Sequence, residues 1–275
     1  DVFEEEPAKS NKLFGMENVV ATPHLGASTT EAQEKVALQV AEQMADFLVQ
    51  GAVTNALNMA SVSAEEAPIL SPYMDLGRQL GEFLGQVESG GLESVSIEFD
   101  GRASALNPEP VVASILAGLL GPAMESVNMV NATSVASANG IAVATVRHER
   151  RCDYETLLRV TAIYETGERT IAGTLVGGDK ARIVEVQQIA VESDFPANLL
   201  YLRNYDKPGF IGDLGGLCGQ HGINIATFHL GRKEAGGEAV ALVEIDGSMD
   251  EATLAELRAL KQVVRADFLR FQQPA

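Results

Sequence analysis

Asn198-Leu-Leu-Tyr-Leu-Arg-Asn-Tyr-Asp-Lys-Pro-Gly209 decides the fold, because it reads as a strand over 198–205 followed by a turn at Asp206-Lys-Pro-Gly209. Working outward, apolar positions over Ile211 to His221 predict a helix, and Ile223 to Leu230 predicts a strand. A Gly-rich hairpin leads to a strand at Glu238 to Ile245, a helix at Glu251 to Lys261 and a strand at Val263 to Phe271. The order is βαββαβ. Such a split pair of βαβ units folds as a four-stranded antiparallel sheet with both helices on one face, so residues 198–272 are expected to form a domain of their own.

Upstream, residues 92–192 predict a second α+β domain. Strands are expected at Val95 to Phe99, Ile141 to His148, Leu157 to Glu165, Arg169 to Val176 and Ala181 to Val191. A Pro-initiated helix spans Val111 to Leu120, closed by Gly121-Pro122. Residues 61–91 read as a Ser/Ala/Glu/Pro connector to Pro72 and then a helix with Leu76, Leu80, Leu84 and Val87 on one face. Residues 1–60 read as an acidic loop, a short strand at Asn18 to Ala21 and a helix whose start carries Ser28 and Glu31 at capping-box spacing and whose stop is Gly51. Val36, Val40, Met44 and Phe47 give that helix an apolar stripe. The fold class is α+β, with residues 1–60 a remnant of an α/β core.

With 275 residues and 46% hydrophobic content the chain buries substantial cores. A formal charge of -18 argues against a nucleic-acid partner, since polyanions are repelled at long range. Cys152 and Cys218 belong to no Cys-x-x-Cys or Cys/His pattern, so they support neither a disulfide framework nor a metal site and read as reduced thiols. The longest apolar run, Val111 to Leu120, is about half of the ~20 residues a bilayer span needs. A soluble cytoplasmic protein is expected.

Asn18-Val-Val-Ala-Thr-Pro-His-Leu-Gly-Ala-Ser-Thr29 places His24 among small residues just before a helix, where a cofactor or oxyanion can approach closely. A lone loop histidine is ordinarily just a loop residue, and the run Glu4-Glu5-Glu6 is ordinarily a solvated loop, yet one of these carboxylates can orient the imidazole. Arg147, Arg150, Arg151, Lys180 and Arg182 concentrate positive charge in an acidic chain and are candidates for a phosphorylated ligand or for ordinary surface pairing.

Asp1-Val-Phe-x-x-Glu-Pro7, together with Asn-Val-x-x-Thr-Pro-His-Leu-Gly-Ala-Ser-Thr, closely resembles the end of the catalytic core of D-2-hydroxyacid dehydrogenases. With Gly51-Ala-Val-Thr-Asn-Ala-Leu-Asn58 and the two domains that follow, the chain resembles the long-form D-3-phosphoglycerate dehydrogenase family, with residues 92–192 similar to its intervening domain. The resemblance implies that His24 is the acid/base, that Glu6 is the carboxylate bonded to it, that Asp1 lies near the nicotinamide carboxamide, and that Gly26 and Ala27 lie against the ring. It further implies that in a complete enzyme His24 takes the hydroxyl proton of 3-phosphoglycerate while hydride passes to NAD.

The terminal unit resembles an ACT domain, carried by Asn204-Tyr-Asp-Lys-Pro-Gly-Phe-Ile-Gly-Asp213 and Gly222-Ile-Asn-Ile-Ala226. From the residues alone, Asp206-Lys-Pro-Gly209 is ordinarily just a good turn, and an asparagine beginning a strand ordinarily bonds local backbone. An amino-acid zwitterion needs acceptors for its ammonium, which Asp206 with Asn204 or Asn224 can supply, and donors for its carboxylate, which the N–H groups after Pro208-Gly209 can supply. The resemblance implies that Asn204, Asp206 and Asn224 contact L-serine as a feedback effector, with the loop and Asn224 coming from different subunits of a homo-oligomer. No Gly-x-Gly-x-x-Gly follows a strand and no substrate-clamping arginine is present, so the chain is expected to read as a fragment that starts inside a longer protein and is inactive by itself. A free-standing amino-acid sensor and a purely structural oligomerisation segment are the alternatives.

Overall fold

Residues 2–88, 90–149 and 153–272 are described by a computed structural model, and the described residues fall into two units: those of 2–55 with 61–67, and those of 56–60 with 68–272. In the first unit, helix α1 covers Thr30–Gln50. Its cap differs from the expected Ser28/Glu31 box: Thr29 is the capping residue, and its hydroxyl accepts from the Ala32 N–H at 3.1 Å. Gly51 closes the helix at φ 70°, its N–H donating to the Phe47 carbonyl. The Val36, Val40, Met44 and Phe47 stripe is exposed. Residues 18–21 are not a strand. A strand exists only where a neighbour takes its hydrogen bonds, and among the described residues none lies beside this segment, which is held by a turn from Met16 to Val19 while Val20 is exposed. Val53 and Val62 form one antiparallel bridge.

The second unit is organised around helix α2, Ala67–Val87. The helix starts inside the stretch expected to be a connector and accommodates Pro72 in its second turn. Leu76, Leu80, Leu84 and Val87 are all buried, as their spacing requires, and each such burial is worth about 1.5–3 kcal/mol. Strand β1 follows at Leu92–Gly101, then a 3₁₀ turn at Arg102–Ala105 and helix α3 at Pro108–Leu120, capped by Asn107, whose side chain accepts from the Glu109 N–H. The helix begins three residues before the expected start because the cap, rather than the first valine, sets it. A short helix α4 at Ala132–Ala138 was not foreseen.

Strands β2 (Ala142–His148), β3 (Thr156–Tyr164), β4 (Gly167–Val176), β5 (Lys180–Val186) and β6 (Ile189–Ser193) complete a sheet of order β2-β1-β3-β4-β5-β6. β1 and β2 are parallel and the remaining neighbours antiparallel. The single strand expected over 181–191 is a hairpin. Gln187 and Gln188 turn it at φ 51° and 61°, a left-handed pair that Asn-Gly or Asp-Gly usually supplies, which is why the turn left no sequence signal.

The last domain follows the expected order: β7 (Asn198–Tyr205), α5 (Phe210–Gln220), β8 (Ile225–Arg232), β9 (Glu238–Ile245), α6 (Glu251–Arg258) and β10 (Val263–Arg270), in a sheet β10-β7-β9-β8 that is antiparallel throughout. Leu214 and Leu217 of α5 and Leu254 and Leu257 of α6 share one core with Leu200, Leu202, Ala241 and Val243, so both helices cover the same face. α2 serves both sheets. Leu76 and Leu80 lie over Gly173 of β4, while Phe83 packs edge-on against Tyr201 of β7, ring centroids 5.1 Å apart. Gly77, Gly81 and Gly85 form a strip along α2: Gly81 and Gly85 receive the Ile115 and Leu119 backbone of α3, Gly77 lies against the Ile115 side chain and Val111, and Gly118 of α3 receives the Arg78 and Glu82 backbone in return.

Candidate functional site

Two places carry chemistry, one in each unit. In the first, the Thr22-Pro23-His24 turn brings His24 to Glu6: Nδ1 lies 2.6 Å from Oε2, and the other Glu6 oxygen accepts from the Phe3 N–H at 2.9 Å. The His24 bond, then the Phe3 N–H, holds the Glu6 carboxyl below the usual carboxylate range. With Nδ1 on the carboxylate, Nε2 takes no partner among the described residues. Both side chains line a cavity of about 710 Å³ walled by Phe3, Phe14, Val19 and Pro23. Gly26 and Ala27 sit in the exposed turn after His24. Asp1 lies outside the described residues.

In the terminal domain the sheet sorts the three effector candidates. Asn204, near the end of β7, is buried on the face that carries Leu200 and Leu202; its Nδ2 donates to the Tyr205 carbonyl and its Oδ1 has no partner among the described residues. Asp206 follows on the turn. Its Oδ2 accepts from Arg232 Nη1 at 2.7 Å and from the Gly236 N–H at 3.2 Å, and these contacts, Arg232 first, lower its pKa. Asp206, Arg232 and the Pro208–Gly212 backbone border a cavity of about 380 Å³. Asn224 is elsewhere: it is exposed, and its Nδ2 donates to Asp246 Oδ2 at 2.7 Å.

Register gives the separation. Asn204 is opposite Ala239 and Ile225 is opposite Ile245, so Asn224 and the 204–206 segment lie at opposite ends of β9, about 20 Å apart at the rise of a strand. One chain does not bring the three together. Arg232, Gly236 and Asp246 were not foreseen; the only sequence signal was a basic residue beside the Gly236-Gly237 hairpin.

The basic concentration of the middle domain does not form one site. Arg147 is on β2 and Lys180 and Arg182 on β5, four strand spacings or about 19 Å away. Arg182 pairs with Asp194 at 3.3 Å, and Arg150 and Arg151 lie outside the described residues, as does Cys152. Cys218 is buried, which pushes its thiol pKa up. Among the described residues no cluster of His, Cys, Asp or Glu is placed to hold a metal ion, and no helix is long and apolar enough to cross a membrane.

Comparison with known proteins assigns both domains of the second unit. The family model of the D-3-phosphoglycerate dehydrogenase intervening domain matches residues 69–187, and that of the ACT domain matches residues 199–262. Proteins named D-3-phosphoglycerate dehydrogenase are 33% identical in Bacillus subtilis, over 96% of this chain and 50% of that protein, and 34% identical in Synechocystis, over 94% and 47%. The one from Methanocaldococcus jannaschii is 34% identical over 96% of this chain and 50% of its own length. The chain thus spans about half the length of the relatives it matches.

Proposed function

Because the chain belongs to the D-3-phosphoglycerate dehydrogenase family and corresponds to the C-terminal part of its members, we propose that it is the regulatory and assembly region of such an enzyme, with an ACT domain that binds L-serine as feedback effector. The observation that carries this reading is the placement of Asn204 and Asp206 at one end of β9 and Asn224 at the other. A single chain cannot close these groups on one small ligand. Two chains can: β8 pairs only with β9 among the described residues, and antiparallel pairing of β8 with its copy carries Asn224 of one chain to the Arg232 end of the other.

Gly231 explains why that edge is available. A Cβ there would strike the Ala190 carbonyl, so β6 covers the sheet face of β8 and not its hydrogen-bonding edge. A ligand seated between two chains shifts the enzyme by as much as it prefers one arrangement of subunits over another, which is what feedback inhibition requires.

In the complete, cytoplasmic enzyme, the first step of serine formation, His24 Nε2 would accept the hydroxyl proton of 3-phosphoglycerate, and Glu6 would fix the ring. NAD, when bound, supplies the hydride acceptor. The residues present fit one flank of that cofactor, since Gly26 and Ala27 put little or no side chain beside His24, whereas no phosphate-cradling Gly-x-Gly-x-x-Gly turn occurs among the described residues. Calorimetric titration with L-serine, run beside sedimentation equilibrium, tests the reading: saturable binding by a dimer or higher oligomer supports it, and a monomer that ignores every amino acid contradicts it.

A further inference from the structure

The pair formed by Asp206 and Arg232 is one-sided. Both of Asp206's hydrogen bonds, from Arg232 Nη1 and from the Gly236 N–H, fall on Oδ2, and Oδ1 takes none among the described residues. On the arginine only Nη1 is engaged, so Nε and Nη2 point to no described partner. The Arg232 side chain is 56% exposed while Asp206 is 21% exposed, so the guanidinium stands at the mouth and the carboxylate deeper. Both border the 380 Å³ cavity.

We infer that Arg232 is a binding and specificity-determining residue: it takes the α-carboxylate of the effector while Asp206 Oδ1 takes the ammonium, so that the pair reads both ends of one amino-acid zwitterion. This rests on the effector reading above. Arginine's planar fork offers two parallel N–H groups to a carboxylate, and the bond to Asp206 Oδ2 holds both ions in position before the ligand arrives. Lys207 is the other cation on the cavity, but its ammonium lies over the Tyr205 ring at 5.6 Å from the centroid and is engaged there. Aliphatic amines, lacking the carboxylate, are thereby discriminated against.

The test compares L-serine with ethanolamine, which keeps the ammonium and hydroxyl and lacks the carboxylate, by calorimetry and competition on the 275-residue chain. The unmodified protein should prefer L-serine by at least about tenfold, the scale of a charge-assisted pair. In Arg232→Ala that preference should disappear, with L-serine falling to the affinity of ethanolamine, and Arg232→Lys should fall between. Arg232→Gln guards against misfolding, since it keeps a donor to Asp206, and circular dichroism checks each variant. Retained preference in folded Arg232→Ala overturns the inference and leaves the effector reading standing; an unmodified chain that binds no amino acid overturns both.

Discussion

His24 Nδ1 stands 2.6 Å from Glu6 Oε2, which fixes the direction of the imidazole and leaves Nε2 without a partner among the described residues. The neutral ring should therefore be the Nδ1–H tautomer. Nitrogen-15 shifts of the two ring nitrogens measure this directly, and Glu6→Ala should release the ring toward the Nε2–H form. An unchanged tautomer in Glu6→Ala would show that Glu6 does not orient the ring.

Gly81 has no room for a side chain: a Cβ there would meet the Ile115 carbonyl oxygen and the Leu119 nitrogen, both backbone atoms that cannot step aside. Gly81→Ala should destabilise the second unit by about 1–3 kcal/mol or more, despite alanine's better helix propensity, and Gly118→Ala should behave alike. Denaturant midpoints decide it, and a stabilised Gly81→Ala would contradict the packing.

Asp206 should titrate below the ordinary carboxylate range because Arg232 and the Gly236 N–H favour its charged form. The sign follows: a depressed folded pKa contributes stability above the unfolded value near 3.8, and that contribution is lost as pH falls through the folded pKa. Carbon-13 detection of the carboxyl should show the midpoint returning toward its ordinary value in Arg232→Ala.

How much of this could be read from residues alone varies with the range of the cause. The βαββαβ order was legible because strand and helix periods are local, and Leu76, Leu80, Leu84 and Val87 fell inside as their spacing required. Gly77, Gly81, Gly85 and Gly118 were not recognised as a helix seam, because glycine in a helix reads as a breaker until the partner backbone is in view. The Gln187-Gln188 turn and the shortfall at Asn18–Ala21 were missed for two further reasons: one is a left-handed turn without a glycine, the other lacks a neighbour strand among the described residues. His24 and Glu6 stood out as a motif. Arg232 did not, because the hairpin between β8 and β9 carries it to Asp206, 26 residues distant in sequence.

On the proposed reading, the chain should form no NADH from 3-phosphoglycerate and NAD when supplied with both, since its described residues hold the His24–Glu6 pair and no Gly-x-Gly-x-x-Gly turn for the cofactor phosphates. Absorbance of NADH checks this, and turnover at any rate proportional to protein concentration would refute it.

Complementation between two defective chains tests the shared effector site most directly. Asp206→Ala and Asn224→Ala each remove one end of the site, so each variant alone should lose L-serine binding in calorimetry. Mixed and allowed to exchange subunits, the two should regain binding, because a heterodimer holds one intact site made of Asp206 from one chain and Asn224 from the other. A mixture that stays silent, or an Asn224→Ala protein that binds L-serine as well as the unmodified chain, would contradict the shared site.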